Sequence, residues 1–264
     1  MKAAEFIKKV SGFENFDIAV VGGSGIELEG TRIEIPYEQI PSMPKVTVPG
    51  HKGTLKICEG ILFFEGRFHY YEGKSDEEMR FIPELCKALG VEIFIPTCAS
   101  GAISRRASRN DVGVIVDHIN LLGRNPLVGL IEKYGSKVFV NGKKFYDDHI
   151  SNLFLQKGLE LGIKITPVIL ASCLGPNYET FAEIRFLEII GADVVSMSTV
   201  PEVIVANFLG MKVAALTIIT NDALNVETSH KEVVKRSKEV SQMVSSLLKE
   251  VIRTLKEEIR GKFG

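Results

Sequence analysis

Arginine, histidine and tyrosine stand at alternate positions in the stretch EGRFHYYEG, as Arg67, His69 and Tyr71. In an extended chain, residues two apart project on the same side of the backbone. A guanidinium and an imidazole side by side suit a phosphate, and a phenol beside them can bind a sugar hydroxyl. The spacing therefore predicts one polar face for a phosphate and a sugar. An exposed strand with alternating polar residues would show the same pattern.

A second candidate anion site is the glycine turn GGSG at residues 22–25, which follows a strand-like apolar run. Backbone amides exposed by such a turn, together with the Ser24 hydroxyl, can hold an anion. The same glycines begin a dinucleotide-binding fingerprint, but its third glycine and its long helix are missing. A tight turn without a ligand is the structural alternative. For His51, in the loop PGHKG at residues 49–53, spacing alone favours a solvated loop histidine.

Polar residues also follow several apolar runs, at the positions where active-site side chains gather in sheet proteins. Glu179, in GPNYET, lies near a predicted helix start, where a carboxylate also interacts favourably with the helix dipole. Alternatively, it accepts hydrogen bonds from a ligand while Tyr178 offers a ring for stacking. Ser198 precedes another predicted helix start, and Asn221 and Asp222 end a buried strand. Taken singly, each is also explained by capping or turn chemistry.

Composition excludes several classes of partner. The chain has 264 residues, 45% hydrophobic and 25% charged, which is ordinary for a globular protein. The net charge is −1 and the pI is near 6.5, so no basic field would attract nucleic acid or acidic membranes. No apolar run reaches the ~18 residues of a membrane span, and no signal peptide is recognisable. We expect a soluble protein.

The four cysteines are widely separated and form no C-x-x-C pair, so neither a disulfide framework nor a zinc site is predicted. This usage suits a reducing cytoplasm. Two acidic–histidine clusters, Asp117-His118 and residues 147–149, resemble metal ligands only superficially. Adjacent strand residues point to opposite faces, and no third ligand follows at a suitable spacing. We therefore predict no metal site.

Strand-length apolar runs alternate with helical patterns, which favours a mostly parallel or mixed sheet covered by helices in one domain, residues 1–264. Three helices are predicted: one at 75–89 with a capping box, one at 179–190, and a long amphipathic one from 229. The predicted strands are 17–21, 54–57, 61–64, 91–97, 112–116, 165–171, 193–197 and 212–220.

Six motifs, in order along nearly the whole chain, closely resemble the trimeric purine nucleoside phosphorylases. They are GGSG (22–25), PGHKG (49–53), EGRFHYYEG (65–73), DHINLLGRNPL (117–127), GPNYETFAEIR (175–185) and GADVVSMSTVPEVIVA (191–206). The resemblance implies an α/β domain with a central mixed, partly barrel-like sheet flanked by helices. It also implies a homotrimer that cleaves purine nucleosides with phosphate as co-substrate and without a metal or organic cofactor.

The resemblance also assigns roles to individual residues. The positions implied for phosphate are Ser24, His51, Arg67, His69, Ser198 and the backbone at Ala99. Those implied for the nucleoside are Tyr71, Tyr178, Glu179, Met197, Asn221 and His230, with His69, Glu179 and Asn221 as the catalytic residues. A neighbouring subunit would lend an aromatic residue from residues 138–146. In that polar loop, Phe145 and Tyr146 indicate a subunit contact.

Two alternatives remain open at this point. A methylthioadenosine phosphorylase would use an aspartate to favour 6-aminopurines, whereas Asn221 and Glu179 favour 6-oxopurines such as those of inosine and guanosine. A one-residue slip at the strand end would put Asp222 on the ligand side instead. A non-catalytic nucleoside-binding module on the same fold is the alternative from another class, because fold alone does not guarantee activity.

Overall fold

A computed structural model of the chain describes residues 1–22, 26, 30, 32–109, 111–224 and 230–261, apart from the side chains of residues 230–239. Over this part of the chain there are ten strands and seven α-helices. The strands are β1 (Ile18–Gly22), β2 (Ile33–Pro36), β3 (Thr54–Cys58), β4 (Ile61–Glu65), β5 (Ile93–Ala102), β6 (Val112–Asn120), β7 (Ile165–Ser172), β8 (Val194–Ser196), β9 (Lys212–Val213) and β10 (Ala215–Asp222). The helices are α1 (Lys2–Ser11), α2 (Asp76–Ala88), α3 (Ile131–Tyr134), α4 (Asp148–Glu160), α5 (Phe181–Ile189), α6 (Val200–Phe208) and α7 (His230–Gly261).

The ten strands form one mixed sheet in the order β10-β6-β7-β8-β5-β1-β4-β3-β2, and β9 pairs with β5 outside this order. β10 also pairs with β5, so five strands, β5, β10, β6, β7 and β8, close into a small barrel. β5 is ten residues long and belongs to both the barrel and the open part of the sheet. β1 runs parallel to β4 and β5, whereas β8 runs antiparallel to β5. The expected mixed, partly barrel-like sheet is confirmed.

Helices cover both faces of the open part of the sheet. Alternate residues of β1 and β4 belong to two different apolar clusters, because successive strand side chains point to opposite faces. One cluster contains residues from α1, α2 and α6, and the other contains residues from α4 and α7. α7 contributes Val240, Val244, Leu247, Val251 and Leu255, all buried, which confirms the predicted apolar stripe over its described part. Burying each such side chain contributes roughly 1.5–3 kcal/mol.

Local capping sets the helix starts near the sheet edge. Ser75 and Glu78 form the predicted capping box at the start of α2. In α5, Thr180 is the N-cap: its backbone amide donates to Glu183 Oε2 at 2.7 Å, and its hydroxyl accepts from the Glu183 amide at 3.2 Å. α5 therefore begins at Phe181, two residues later than predicted, which leaves Glu179 in the preceding loop. The predicted strand 212–220 is divided at Ala214 into β9 and β10.

None of the helices in the described ranges is both long and apolar enough to cross a membrane.

Candidate active site

The Arg67 side chain turns from the end of β4 into the protein interior and is only 2% exposed. Its Nη1 donates to Thr199 Oγ1 at 2.9 Å, and its Nη2 donates to the carbonyls of Val21, at 2.9 Å, and Thr97. Nη1 also lies 3.3 Å from Glu202 Oε2. Three of the five guanidinium N–H donors are thus engaged by the protein. Arg67 is fixed at the point where β1, β5 and the start of α6 meet.

The prediction that Arg67, His69 and Tyr71 share one face of an extended strand is wrong. β4 ends before Gly66, whose φ of +133° is accessible to glycine but rarely to other residues. A 3₁₀ turn, Tyr70–Glu72, then follows. Arg67 consequently points inward, while the rings of His69 and Tyr71 stack with centroids 4.6 Å apart and planes 18° apart. The structure brings the three residues together by a turn rather than by strand alternation.

His69 is buried and held by Glu72. One carboxylate oxygen, Oε1, lies 3.0 Å from His69 Nδ1 and accepts from the His69 backbone amide at 2.8 Å. The backbone amide and hydroxyl of Thr47 donate to the other oxygen. Burial alone would raise the pKa of Glu72, but the hydrogen bonds from His69 and Thr47 outweigh it and lower this pKa to about 2. An ionised carboxylate can only accept a hydrogen bond, so the Nδ1 atom of His69 must carry the imidazole proton.

His51 lies against His69, with ring centroids 5.4 Å apart. Its Nδ1 accepts a hydrogen bond from the Arg67 backbone amide at 3.1 Å. Burial, followed by the charges of His69 and Arg67, lowers the pKa of His51 to about 3. His51 is therefore a neutral imidazole near neutral pH. The structure places it within the site rather than in a solvated loop.

A chain of hydroxyls links β8 to Arg67. Ser196 Oγ donates to the carbonyl of Ala99 at 2.8 Å and lies 3.3 Å from Ser198 Oγ. Ser198 Oγ in turn lies 3.5 Å from Thr199 Oγ1, which accepts from Arg67. Thr199 has a φ of +74°, a strained value for a β-branched residue, and such strain concentrates at functional sites. Arg67, Ser198 and the Ala99 backbone, all expected at the phosphate, are thus neighbours.

The loop between β7 and α5 carries the candidate base-binding residues. Glu179 is half-buried, and burial raises the pKa of its carboxyl group. The thiol of Cys173, just after β7, hydrogen-bonds to this carboxylate. Tyr178, beside it, is 41% exposed. Gly175 must be glycine, because its φ is +69° and an added Cβ would lie 2.3 Å from Met197 Sδ. Met197 therefore packs directly on this loop.

Asn221 faces the barrel at the end of β10. The β10–β5 register shifts between Ile219 and Asn221, and a Cβ added to Gly101 would lie 3.1 Å from Asn221 Nδ2. The Thr220 hydroxyl donates to Asn221 Oδ1 at 2.9 Å. Asp222, in contrast, is exposed, and its Oδ1 accepts from the Leu224 backbone amide at 2.9 Å. The bulge thus turns the amide, and not the next carboxylate, toward β5.

Two expected site residues lie outside the described part of the structure: Ser24, and the His230 side chain at the start of α7. Among the described side chains, no group of three or more His, Cys, Asp and Glu could hold a metal ion.

Phe145 and Tyr146 pack against the core of their own chain, where the Phe145 ring stacks on His118 with centroids 5.4 Å apart and planes 11° apart. His118 Nδ1 lies 2.9 Å from the Tyr146 hydroxyl.

Sequence reasoning missed four residues that hold the site: Glu72, Cys173, Thr199 and Glu202. Glu202 had a readable signal, since it is the one charged residue in the apolar run VPEVIVA and charged residues are rarely buried without a partner. The pairing of Glu72 with His69, three residues earlier, was also readable from the sequence. Thr199 contacts a residue 132 positions away in sequence, which no local pattern reveals.

Comparison with known proteins agrees with this fold. The family model of the phosphorylase superfamily matches residues 17–253. Purine nucleoside phosphorylase 1 of Bacillus subtilis is 40% identical over 262 residues, covering 95% of this chain and 96% of that protein. Solved structures of the Schistosoma mansoni purine nucleoside phosphorylase with inosine and with adenosine are 33% and 32% identical, each with a TM-score of 0.86. They match 95% of this chain and 94% and 95% of their own chains, respectively.

The chain therefore belongs to the phosphorylase superfamily and, within it, to the family of the purine nucleoside phosphorylases.

Proposed function

We propose that this protein cleaves purine nucleosides with inorganic phosphate, yielding the free base and ribose or deoxyribose 1-phosphate in purine salvage. The observation that carries the proposal is that the group of Arg67, Ser198 and the Ala99 backbone is joined to the stacked His69–Tyr71 pair through His51, which accepts from the Arg67 amide and lies against His69. The first group suits an anion and the second a sugar. The family relationship supports the same reaction. Phosphate is a co-substrate here, and the proposed mechanism uses no metal or organic cofactor.

In the proposed reaction, charged and hydrogen-bonding groups are placed where charge develops in the transition state. The bond from the sugar anomeric carbon to purine N9 breaks, its electron pair leaves with the base, and an oxygen of the hydrogen phosphate dianion bonds to the same carbon. The proton of the hydrogen phosphate balances the charge of the departing base, which is released as the neutral free base. The sugar becomes positive in the transition state while the base becomes negative. Phosphate held near Arg67 and His69 stabilises the sugar, and Asn221 donates to N7 of the departing base. Aligned donors of this kind act where charge develops, so they lower the barrier rather than merely tighten binding.

Base selection is assigned to Glu179 and Asn221. A 6-oxopurine carries a hydrogen on N1, which the Glu179 carboxylate accepts, and an amide can serve both N7 and O6. The inward position of Asn221 and the outward position of Asp222 support a preference for 6-oxopurines over 6-aminopurines. Both inosine and adenosine appear in complexes of the Schistosoma mansoni relative, so the preference proposed here rests on these two side chains.

We also propose that the active form is a cytoplasmic homotrimer. Phe139 is 76% exposed and lies in the segment expected to lend an aromatic ring to the neighbouring sugar site. Val128 and Ile131 are also exposed in the same region of the sequence, at 69% and 53%. Apolar exposure of this kind is typical of a surface that another subunit covers. Sedimentation that finds a fully active monomer would refute the trimer.

The decisive experiment measures base release from inosine with and without phosphate, in parallel with adenosine and methylthioadenosine. We expect release that requires phosphate, survives a chelator and is fastest for inosine. Equal turnover without phosphate would rule out phosphorolysis. Nucleoside binding without any base release would instead favour the non-catalytic module, and fastest cleavage of methylthioadenosine would favour that alternative enzyme.

A further inference from the structure

Arg67 and Glu202 form an ion pair that is almost fully removed from water. Their side chains are 2% and 4% exposed, and Glu202 Oε2 lies 3.3 Å from Arg67 Nη1. Within the described residues this oxygen accepts no hydrogen bond, because the contact lacks hydrogen-bond geometry. A buried carboxylate is costly to keep ionised unless its oxygens are both paired and hydrogen-bonded. The ionised form of Glu202 therefore depends on the charge of Arg67 beside it.

The other groups that face Glu202 from the described part of the chain do not carry a compensating charge. Tyr37 approaches from the 3₁₀ turn Tyr37–Gln39, and Cys86 approaches from α2. Burial raises the pKa of both groups well above their ordinary values, so both are neutral. The Tyr37 hydroxyl donates to the Gly66 carbonyl at 2.8 Å. Glu65, which also influences Tyr37, is itself paired with Lys52 and Lys56.

Among its described residues, the phosphate pocket consequently has little net positive charge before phosphate arrives. Arg67 is matched by Glu202, His69 is matched by the ionised Glu72, and His51 is neutral because its pKa is lowered to about 3. A dianion that binds Arg67 would also lie near a carboxylate, because Glu202 Oε2 is 3.3 Å from Arg67 Nη1. Removing that negative charge by protonation is the simplest way to release the full charge of Arg67 toward the ligand.

We propose that Glu202 is a positioning residue of the phosphate site that is ionised in the empty site and takes up one proton when phosphate binds. The proton comes from solvent or buffer, and it returns there when the sugar phosphate leaves. When neutral, Glu202 still contacts Arg67 and keeps the guanidinium group in its position. Two effects on the pKa of Glu202 support this proposal. Burial raises this pKa despite the opposing effect of Arg67, and an incoming dianion raises it further. This inference rests on the proposed phosphate-binding role of Arg67.

The test uses sulfate, which remains a dianion across neutral pH, so any proton taken up comes to the protein and not to the ligand. Calorimetric titration in two buffers of different ionisation enthalpy measures the protons taken up per bound sulfate. We expect an uptake that approaches one proton, and an affinity that falls up to about tenfold per pH unit above neutrality. In Glu202→Gln, which is neutral and nearly isosteric, sulfate should bind with no uptake and with affinity almost independent of pH.

Glu72→Gln is the matched control, because it removes the carboxylate at His69 while leaving Glu202 in place, and uptake should persist in it. Uptake that persists in Glu202→Gln, or disappears in Glu72→Gln, would overturn the proposal. Infrared difference spectra of the wild type give an independent measurement if a variant fails to fold. Sulfate should produce the C=O stretch of a protonated carboxylic acid, and its absence would refute the protonation. Failure of sulfate and phosphate to bind at all would count against the proposed phosphate site itself.

Discussion

The replacement of Asn221 by aspartate tests the proposed base selection most directly. Asparagine and aspartate have the same shape, which matters because Asn221 Nδ2 lies so close to Gly101 that an added Cβ there would be 3.1 Å away. The hydrogen bond from the Thr220 hydroxyl to Oδ1, 2.9 Å long, can also form in the variant. The substitution therefore replaces the NH2 donor group with an acceptor oxygen and leaves the packing intact.

The expected magnitude follows from the loss of that donor. One donor that acts on developing negative charge is typically worth ~2.7–4 kcal/mol, or roughly two to three decades in rate. Inosine cleavage should fall by about this factor in kcat/KM. Adenosine offers an exocyclic N–H that the new carboxylate accepts, and a hydrogen bond to a charged group contributes ~1.5–3 kcal/mol. The ratio of adenosine to inosine cleavage should consequently rise by about one to two decades.

The assay compares kcat/KM for inosine and adenosine in the wild type, Asn221→Asp and the control Asp222→Asn. The control changes the charge at the adjacent position, where Asp222 is exposed and bonded to the Leu224 amide. It should leave the ratio of the two substrates unchanged. If Asn221→Asp keeps the wild-type ratio, or Asp222→Asn changes it, the assignment of the pocket is wrong and Asp222 takes the role of Asn221.

Three further changes test the surroundings of the site. Glu179→Gln should cost ~1.5–3 kcal/mol in inosine kcat/KM, because the base N1–H then meets a neutral acceptor; an unchanged value would exclude Glu179 from the base contact. Cys173→Val removes a hydrogen bond that lowers the pKa of Glu179, so the acid limb of the pH profile for inosine should move to higher pH, whereas Cys173→Ser should restore it. The folded-state pKa of His51 is about 3, below the unfolded value of about 6.5, so the unfolded chain binds more protons between these values and stability rises as the pH increases through this window. His51→Asn should make the melting temperature less dependent on pH in this window, and identical pH dependence would refute a neutral buried imidazole.

The types of the helices and strands, and the clustering of polar residues at strand ends, could be predicted from the sequence because they depend on local patterns. Apolar runs gave the positions of β1, β4 and β7 to within a residue or two, and the capping box at Ser75 marked the start of α2. The rule that polar residues cluster at strand ends also indicated Asn221. The closure of five strands into a barrel was not readable from periodicity, since it depends on β5 pairing with β10, more than a hundred residues later.

Side-chain directions in the site were the part that local patterns could not supply. Strand alternation predicts that Arg67 lies on the same face as His69, but the positive φ of Gly66 breaks the strand first. Local patterns also could not predict whether Asn221 or Asp222 faces inward. A bulge adds one residue to one strand and so reverses which of the two side chains faces inward. In both cases a single backbone irregularity determines the chemistry at the site.

The two halves of the proposed reaction are held by different parts of the fold. The phosphate side depends on the chain after β4 and the turn from β8 into α6, which Arg67 joins through Thr199. The base side depends on the loop between β7 and α5 and on the end of β10. Met197 lies between them: it immediately precedes Ser198 and packs on Gly175 in the base-binding loop. The two halves are joined by the Cys173 backbone amide, which donates to the Ser196 carbonyl at 2.9 Å. Because Asn221 lies at the end of β10 and Glu202 lies in α6, we expect changes at Asn221 to alter base preference without altering the proton uptake proposed for Glu202.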